Sequence, residues 1–157
     1  MSKKPKTVLG TKPKVFRTPF NSMKYFLIQH RDQLKNMSKE MEQGVTEKIP
    51  SAANHAFLAS TWFTYIPDEG YVTVIYYPEL LDDDETRALV TLCHECVHVW
   101  QAFSREVISE HNPSDEFEAY TIDEMFENVL LEYRRLKKIH LKETGDWPAS
   151  DSLSAAA

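Results

Sequence analysis

Two histidines and one glutamate lie close together in the segment His94-Glu95-Cys96-Val97-His98, which has the pattern HExxH. A helix advances about 100° per residue, so residues four positions apart share one face and can direct two imidazoles at a single metal ion. Glu95 then lies beside the metal without binding it, where a carboxylate can take a proton from metal-bound water. The segment therefore predicts a site for one zinc ion that activates water.

The sequence around this motif predicts the helix that it needs. Pro78 ends an apolar run, and the acidic residues 82–85 offer N-cap oxygens and negative charge for a helix start. We expect this helix to run to about residue 104, with Cys96 on the face opposite the two histidines. Cys93 and Cys96 are three positions apart in one predicted helix, which favours reduced packing residues over a disulfide, a redox pair or extra zinc ligands.

A catalytic zinc ion takes three protein ligands and keeps one open position. The candidates for the third ligand are Glu116 and Glu118, at the start of another predicted helix over about residues 115–141. On a helical wheel Glu118 lies within the apolar stripe, whereas Glu116 lies about 160° away. The stripe consists of Ile122, Met125, Val129, Tyr133 and Leu136. Burying a carboxylate is costly unless it is paired or bound to a metal, which favours Glu118.

Two alternatives for these glutamates stay open. Glu118 can instead meet an arginine or lysine in the core, since an ion pair also compensates a buried carboxylate. Glu116 becomes the better ligand if the helix starts later than residue 115. Replacing each glutamate by alanine distinguishes them, because only the true ligand should cost most of the zinc.

The rest of the chain predicts an α+β domain. Residues 20–43 have apolar residues at mostly helical spacing, with Gly44 as a stop, and predict a scaffold helix. Two aromatic, apolar runs, 56–66 and 71–77, flank a turn at 67–70 and predict an antiparallel hairpin. The expected fold is thus an N-terminal scaffold helix, a small and mostly antiparallel sheet, the HExxH helix and the glutamate helix.

Charge divides the chain unevenly. Residues 1–17 hold six basic residues and no acid, whereas the whole chain has a net charge of −6. We expect a basic flexible arm over 1–19, a single domain over 20–142 and a flexible tail over 143–157. The arm could meet an acidic partner, but the acidic body argues against a nucleic-acid binder. Without a membrane-spanning run or an apolar signal segment, a soluble, cytoplasmic chain is expected.

The HExxH pattern followed twenty residues later by Glu118-Ala119 resembles the gluzincin branch of the zincin metallopeptidases, especially its minimal members, the minigluzincins and the ImmA/IrrE-type peptidases. The resemblance covers about residues 57–136. It implies zinc on His94, His98 and Glu118, with Glu95 as general base, a peptide or protein substrate, and the strand at 71–77 as the edge that holds this substrate.

The sequence departs from that family in its supporting residues. Larger gluzincins have an aspartate one turn after the ligand glutamate, where this chain has Ile122. The residue that stabilises the oxyanion has no clear counterpart, and Tyr120, His111 and His140 are candidates by type alone. The alternative function is a non-catalytic, zinc-stabilised module that docks into a larger assembly or regulates a partner. Hydrolysis of an amide in a cell-wall or small-molecule substrate is a third hypothesis.

Overall fold

A four-stranded sheet forms the centre of the protein in a computed structural model that describes residues 7–49, 58–108 and 114–145. The strands run in the order β1-β2-β4-β3: β1 (Phe16–Arg17), β2 (Met23–Ile28), β3 (Ser60–Ile66) and β4 (Gly70–Tyr76). The α-helices of these ranges are α1 (Lys39–Thr46), α2 (Glu85–Phe103) and α3 (Asp115–Thr144). The described residues also include two short 3-10 helices, Pro19–Asn21 and Arg31–Asn36, and one π-helical turn, Ser104–Ile108. The predicted α+β class is confirmed.

The predicted scaffold helix over residues 20–43 is wrong, because its first part forms strand β2. This strand is covered on both faces, so it lacks the alternation of apolar and polar residues that identifies a half-exposed strand. Helix α1 occupies only the end of the predicted span and continues through Gly44, the expected stop. A Cβ at Gly44 would meet the Ile66 side chain at 2.8 Å, so this glycine lets α1 approach β3 closely.

The hairpin predicted for the two aromatic runs is present as β3 and β4. These strands pair antiparallel from Ser60↔Tyr76 to Ile66↔Gly70, and Asp68 and Gly70 adopt positive φ angles of 65° and 81° in the turn. Strand β2 pairs antiparallel with β1 and parallel with β4, so two of the three pairings are antiparallel, as expected for the sheet.

The expectation that the 71–77 strand forms the substrate edge is wrong. Strand β4 lies inside the sheet, hydrogen-bonded to β2 on one side and β3 on the other. Within the described ranges, β3 is the edge strand on this side. The hairpin was predicted from local signals, but the parallel partner of β4 comes from a segment that the sequence assigned to a helix.

The sheet separates two apolar cores. Tyr25 and Leu27 of β2 face α2 and α3, whereas Phe26 and Ile28 face α1, because successive strand residues point to opposite sides. The larger core includes Leu92, Cys96, Val99 and Phe103 of α2 and Met125, Val129, Tyr133 and Leu136 of α3. The sheet therefore holds α2 in place from one side, with α1 packed on the other.

Local capping explains where the two long helices begin. The Asp84 carboxylate accepts a hydrogen bond from Arg87 N–H at 3.1 Å, and the Ser114 hydroxyl accepts one from Phe117 N–H at 3.3 Å. Both helices begin within the predicted segments, and they end at Phe103 and Thr144. In the described part of the chain, none of the helices is both long and apolar enough to cross a bilayer.

The predicted basic arm, residues 1–19, contributes partly to the folded domain. Residues 1–6 lie outside the described ranges, but Val8 and Phe16 are buried in the larger core. Lys14 N–H donates to the buried Glu132 carboxylate at 3.2 Å, so α3 binds this segment by polar contacts as well. Of the predicted tail, 143–157, residues up to 145 are described, and Val8 N–H donates to Glu143 at 3.1 Å.

Candidate metal centre and cavity

Helix α2 brings the two histidines of the HExxH motif together. The Nε2 atoms of His94 and His98 lie 3.1 Å apart, and both side chains are exposed at one face of the helix. The rings meet edge to face, with their centroids 4.7 Å apart. The helical spacing therefore brings the two imidazoles into contact on one face of α2. The prediction that they bind one zinc ion stays a prediction.

Gln101 orients one of these rings. Its Oε1 atom lies 2.9 Å from Nδ1 of His98, one turn further along α2. Because an amide oxygen only accepts hydrogen bonds, Nδ1–H of His98 donates to it, and Nε2 of the neutral ring then carries the lone pair. A hydrogen bond of this kind fixes the tautomer that a metal needs on Nε2. The sequence reasoning missed Gln101, although its position three residues after His98 places it on the same face.

Glu95 lies beneath the histidines and is almost fully buried, with 4% of its surface exposed. The hydroxyl of Thr61, on the edge strand β3, donates to Glu95 Oε2 at 2.6 Å. This contact leaves Oε1 without a hydrogen-bond donor among the described residues. Nothing in the local sequence could have identified Thr61, because the contact joins residues 34 positions apart.

A cavity of about 460 Å³ connects these groups. Residues 59–63 at the start of β3 form one wall, and α2 forms the other. The α2 side contributes His94, Glu95, His98, Gln101, Ala102 and Arg105. The cavity thus places the two imidazoles and the Glu95 carboxylate beside the main chain of an edge strand.

Glu118 is half-buried in the first turn of α3, and Glu116 is exposed. This difference agrees with the helical wheel, but Glu118 does not line the cavity that contains His94 and His98. Among the described residues, no group of three or more His, Cys, Asp or Glu side chains is arranged to hold a metal ion. The structure brings together His94, His98 and Glu95, and it leaves Glu118 apart from them.

The geometry of the two imidazoles can be compared with the requirements of zinc. With Zn–N bonds of about 2.0–2.1 Å and a tetrahedral angle, two nitrogen ligands lie about 3.3 Å apart. The observed 3.1 Å between the Nε2 atoms is close to that separation, and it is also a hydrogen-bond length, with Nε2–H of His94 donating to Nε2 of His98. A zinc ion bound here would take the place of that hydrogen. His94 and His98 therefore fit two of the three protein ligands of a catalytic zinc ion, and among the described residues no third ligand is assembled beside them.

The cysteines and the described candidates for an oxyanion-stabilising residue lie outside the cavity. Cys96 is fully buried in the core, and burial raises the pKa of its thiol to about 12. Cys93 is exposed, so the expectation of a packing residue is wrong for that position. Tyr120 is 70% exposed, and His140 lies 3.6 Å from Asp82, near the start of α2. His111 lies outside the described residues. None of the described candidates for an oxyanion-stabilising residue lines the cavity.

Comparisons with protein-family models, with curated proteins and with solved structures give no match to this chain.

Proposed function

We propose that the chain is a zinc-dependent peptidase of the gluzincin type, with His94 and His98 as zinc ligands and Glu95 as general base. One observation carries the proposal: the two Nε2 atoms converge to 3.1 Å beside a buried glutamate, in a cavity bordered by an edge strand. Glu118 remains the proposed third ligand, because its half-buried position on α3 agrees with the helical-wheel argument.

Glu95, Thr61 and the main chain of β3 have separate roles in this proposal. A bound zinc ion would lower the pKa of its water towards about 7 and polarise the scissile carbonyl. Thr61 holds Glu95 Oε2, so Oε1 is the atom that takes a proton and later passes it to the leaving amine. Strand β3 offers edge N–H and C=O groups that can hold an extended peptide by main-chain hydrogen bonds.

A second candidate function is a non-catalytic, zinc-stabilised docking module. The observation that favours it is the position of Glu118 outside the cavity, since two histidines alone do not make the three-ligand site of a zinc hydrolase. In that case the ion stabilises the fold, and Glu95 has no chemical role. Activity of the zinc-loaded protein distinguishes the two functions.

The test combines zinc analysis with a peptide-library screen on the purified chain. Glu95→Gln should keep the zinc and lose turnover by about 100-fold to 10,000-fold, the range of a general base. Glu85→Gln, in the exposed first turn of the same helix, makes the same chemical change away from the cavity and should behave as wild type. Glu118→Ala should cost most of the zinc, whereas Glu116→Ala should not.

Three results would decide against parts of the proposal. Zinc bound by wild type without turnover of any peptide would favour the docking module. Zinc loss in Glu116→Ala, with retention in Glu118→Ala, would replace the third ligand. A wild-type chain that takes up no zinc would refute both functions.

A further inference from the structure

A second group of charged residues lies on the far side of the sheet from α2, where β1 pairs with β2. Arg17 and Lys24 are direct partners across these antiparallel strands. Thr18 N–H donates to the Met23 carbonyl at 2.9 Å, so Thr18 and Met23 form a hydrogen-bonded pair. Such pairs alternate along antiparallel strands with pairs that lack mutual hydrogen bonds. Arg17 and Lys24 are a pair of this second kind, in which the side chains lie closer together. Like charges directly opposite each other destabilise a sheet, so this pair calls for a counter-charge.

The Glu69 carboxylate supplies a counter-charge, but a single negative charge does not balance both cations. Glu69 Oε2 lies 2.5 Å from Lys24 Nζ, and the Ser38 hydroxyl donates to Glu69 Oε1 at 2.8 Å. The hydrogen bond from Lys24 holds the pKa of this carboxyl below its ordinary range. Both carboxylate oxygens are thereby occupied. Arg17 also attracts the Glu69 carboxylate, although within the described ranges neither Arg17 nor Lys12 forms a salt bridge. Glu69 therefore supplies one negative charge for several cations.

These cations surround a pocket of about 220 Å³. Val15, Met37 and Met41 supply its apolar surface, and Lys24 is deep enough that only 15% of its side chain is exposed. Ser38, at the N-cap of α1, also lines the pocket, so the positive end of the helix dipole adds to the side-chain charges. Lys12 and Arg17 are exposed, so it is at Lys24 that the apolar walls weaken screening by water and strengthen attraction to an anion.

We infer that this pocket binds the phosphate group of a small phosphomonoester. The pocket has an excess of two positive charges, because three cations, Lys12, Arg17 and Lys24, face one carboxylate, Glu69. A phosphomonoester dianion balances this excess, whereas a ligand with a single carboxylate does not. The planar fork of Arg17 suits two phosphate oxygens. The volume equals about seven water molecules, enough for a phosphate and a small substituent.

This site is separate from the proposed zinc centre. It involves other residues, on the opposite face of the sheet, so its test does not depend on whether the chain is a peptidase. It also gives Lys12 and Arg17 of the 1–19 segment a defined anionic ligand in place of an unspecified acidic partner.

The experiment is an NMR titration of the full chain with methyl phosphate, a dianion above pH of about 6, and with dimethyl phosphate, a monoanion of similar size. Methyl phosphate should shift the amide signals of Arg17, Lys24 and Ser38, and dimethyl phosphate should bind more weakly. Arg17→Gln should weaken methyl phosphate binding about tenfold or more, since one charge-assisted contact is lost. Arg134→Gln, an exposed arginine outside the pocket, removes the same charge and should leave the affinity unchanged.

Arg17→Gln removes both the like-charge contact with Lys24 and the attraction to Glu69, so its melting temperature without ligand should stay close to that of wild type. Equal affinities in wild type and Arg17→Gln would overturn the site. Equal binding of methyl phosphate and dimethyl phosphate would overturn the preference of the site for a dianion. If sodium chloride at matched ionic strength caused the same signal shifts, these would reflect general screening and the proposed site would be refuted.

Discussion

Removing the Thr61 hydroxyl should destabilise the protein through the buried Glu95 carboxylate. Thr61→Val keeps the shape and the β-branch of the side chain but deletes the 2.6 Å hydrogen bond to Glu95 Oε2. Hydrogen bonds to charged groups contribute about 1.5–3 kcal/mol, and a residue with 4% exposure has little water to replace the lost donor. We expect the free energy of unfolding to fall by about 2 kcal/mol, or about 4–8 °C in melting temperature.

Urea denaturation of zinc-free protein measures this change without interference from metal binding. Thr64→Val is the matched control, since Thr64 lies on the same strand and its hydroxyl has no hydrogen bond within the described residues. That substitution should change stability by less than about 0.5 kcal/mol. In a Glu95→Gln background, the cost of Thr61→Val should fall to about 1 kcal/mol, the value for a neutral hydrogen bond. Equal losses for Thr61→Val and Thr64→Val would refute the reasoning.

The other predictions concern the thiols and the alkaline limit of stability. In the native protein a thiol reagent should modify exposed Cys93 but not buried Cys96, which mass spectrometry of the labelled peptides measures. Labelling of both cysteines at equal rates would contradict the packing of α2. Burial and a hydrogen bond to Asp83 raise the pKa of Tyr77 from 10.0 to about 12, so its contribution to stability is complete below pH 10.0 and is lost between these values. Unfolding free energies measured across this pH range should fall more steeply for wild type than for Tyr77→Phe, and parallel curves would count against this assignment.

Local signals in the sequence predicted the elements whose structure depends on near neighbours. Helix α2 has an N-cap at Asp84 and an apolar face with helical spacing, and α3 has a cap at Ser114. The β3–β4 hairpin follows from two apolar runs around a turn that contains Gly70. The approach of the two imidazoles likewise follows from the helical spacing of His94 and His98 alone.

Tertiary structure decided whatever depends on distant partners. Residues 23–28 carry enough apolar side chains to suit either a buried helix or a strand, and the pairing of β2 with both β1 and β4 determines that they form a strand. That pairing places β4 inside the sheet and makes β3 the strand beside the cavity.

The sequence by itself determined the HExxH helix, the approach of its two histidines and the burial of Cys96 on its far side. Only the tertiary structure placed Thr61 against Glu95, the two like charges of β1 and β2 around one pocket, and Glu118 outside the cavity. The physical reason is the range of the interactions: helix geometry fixes positions within a few residues, whereas contacts between elements depend on how the whole core packs.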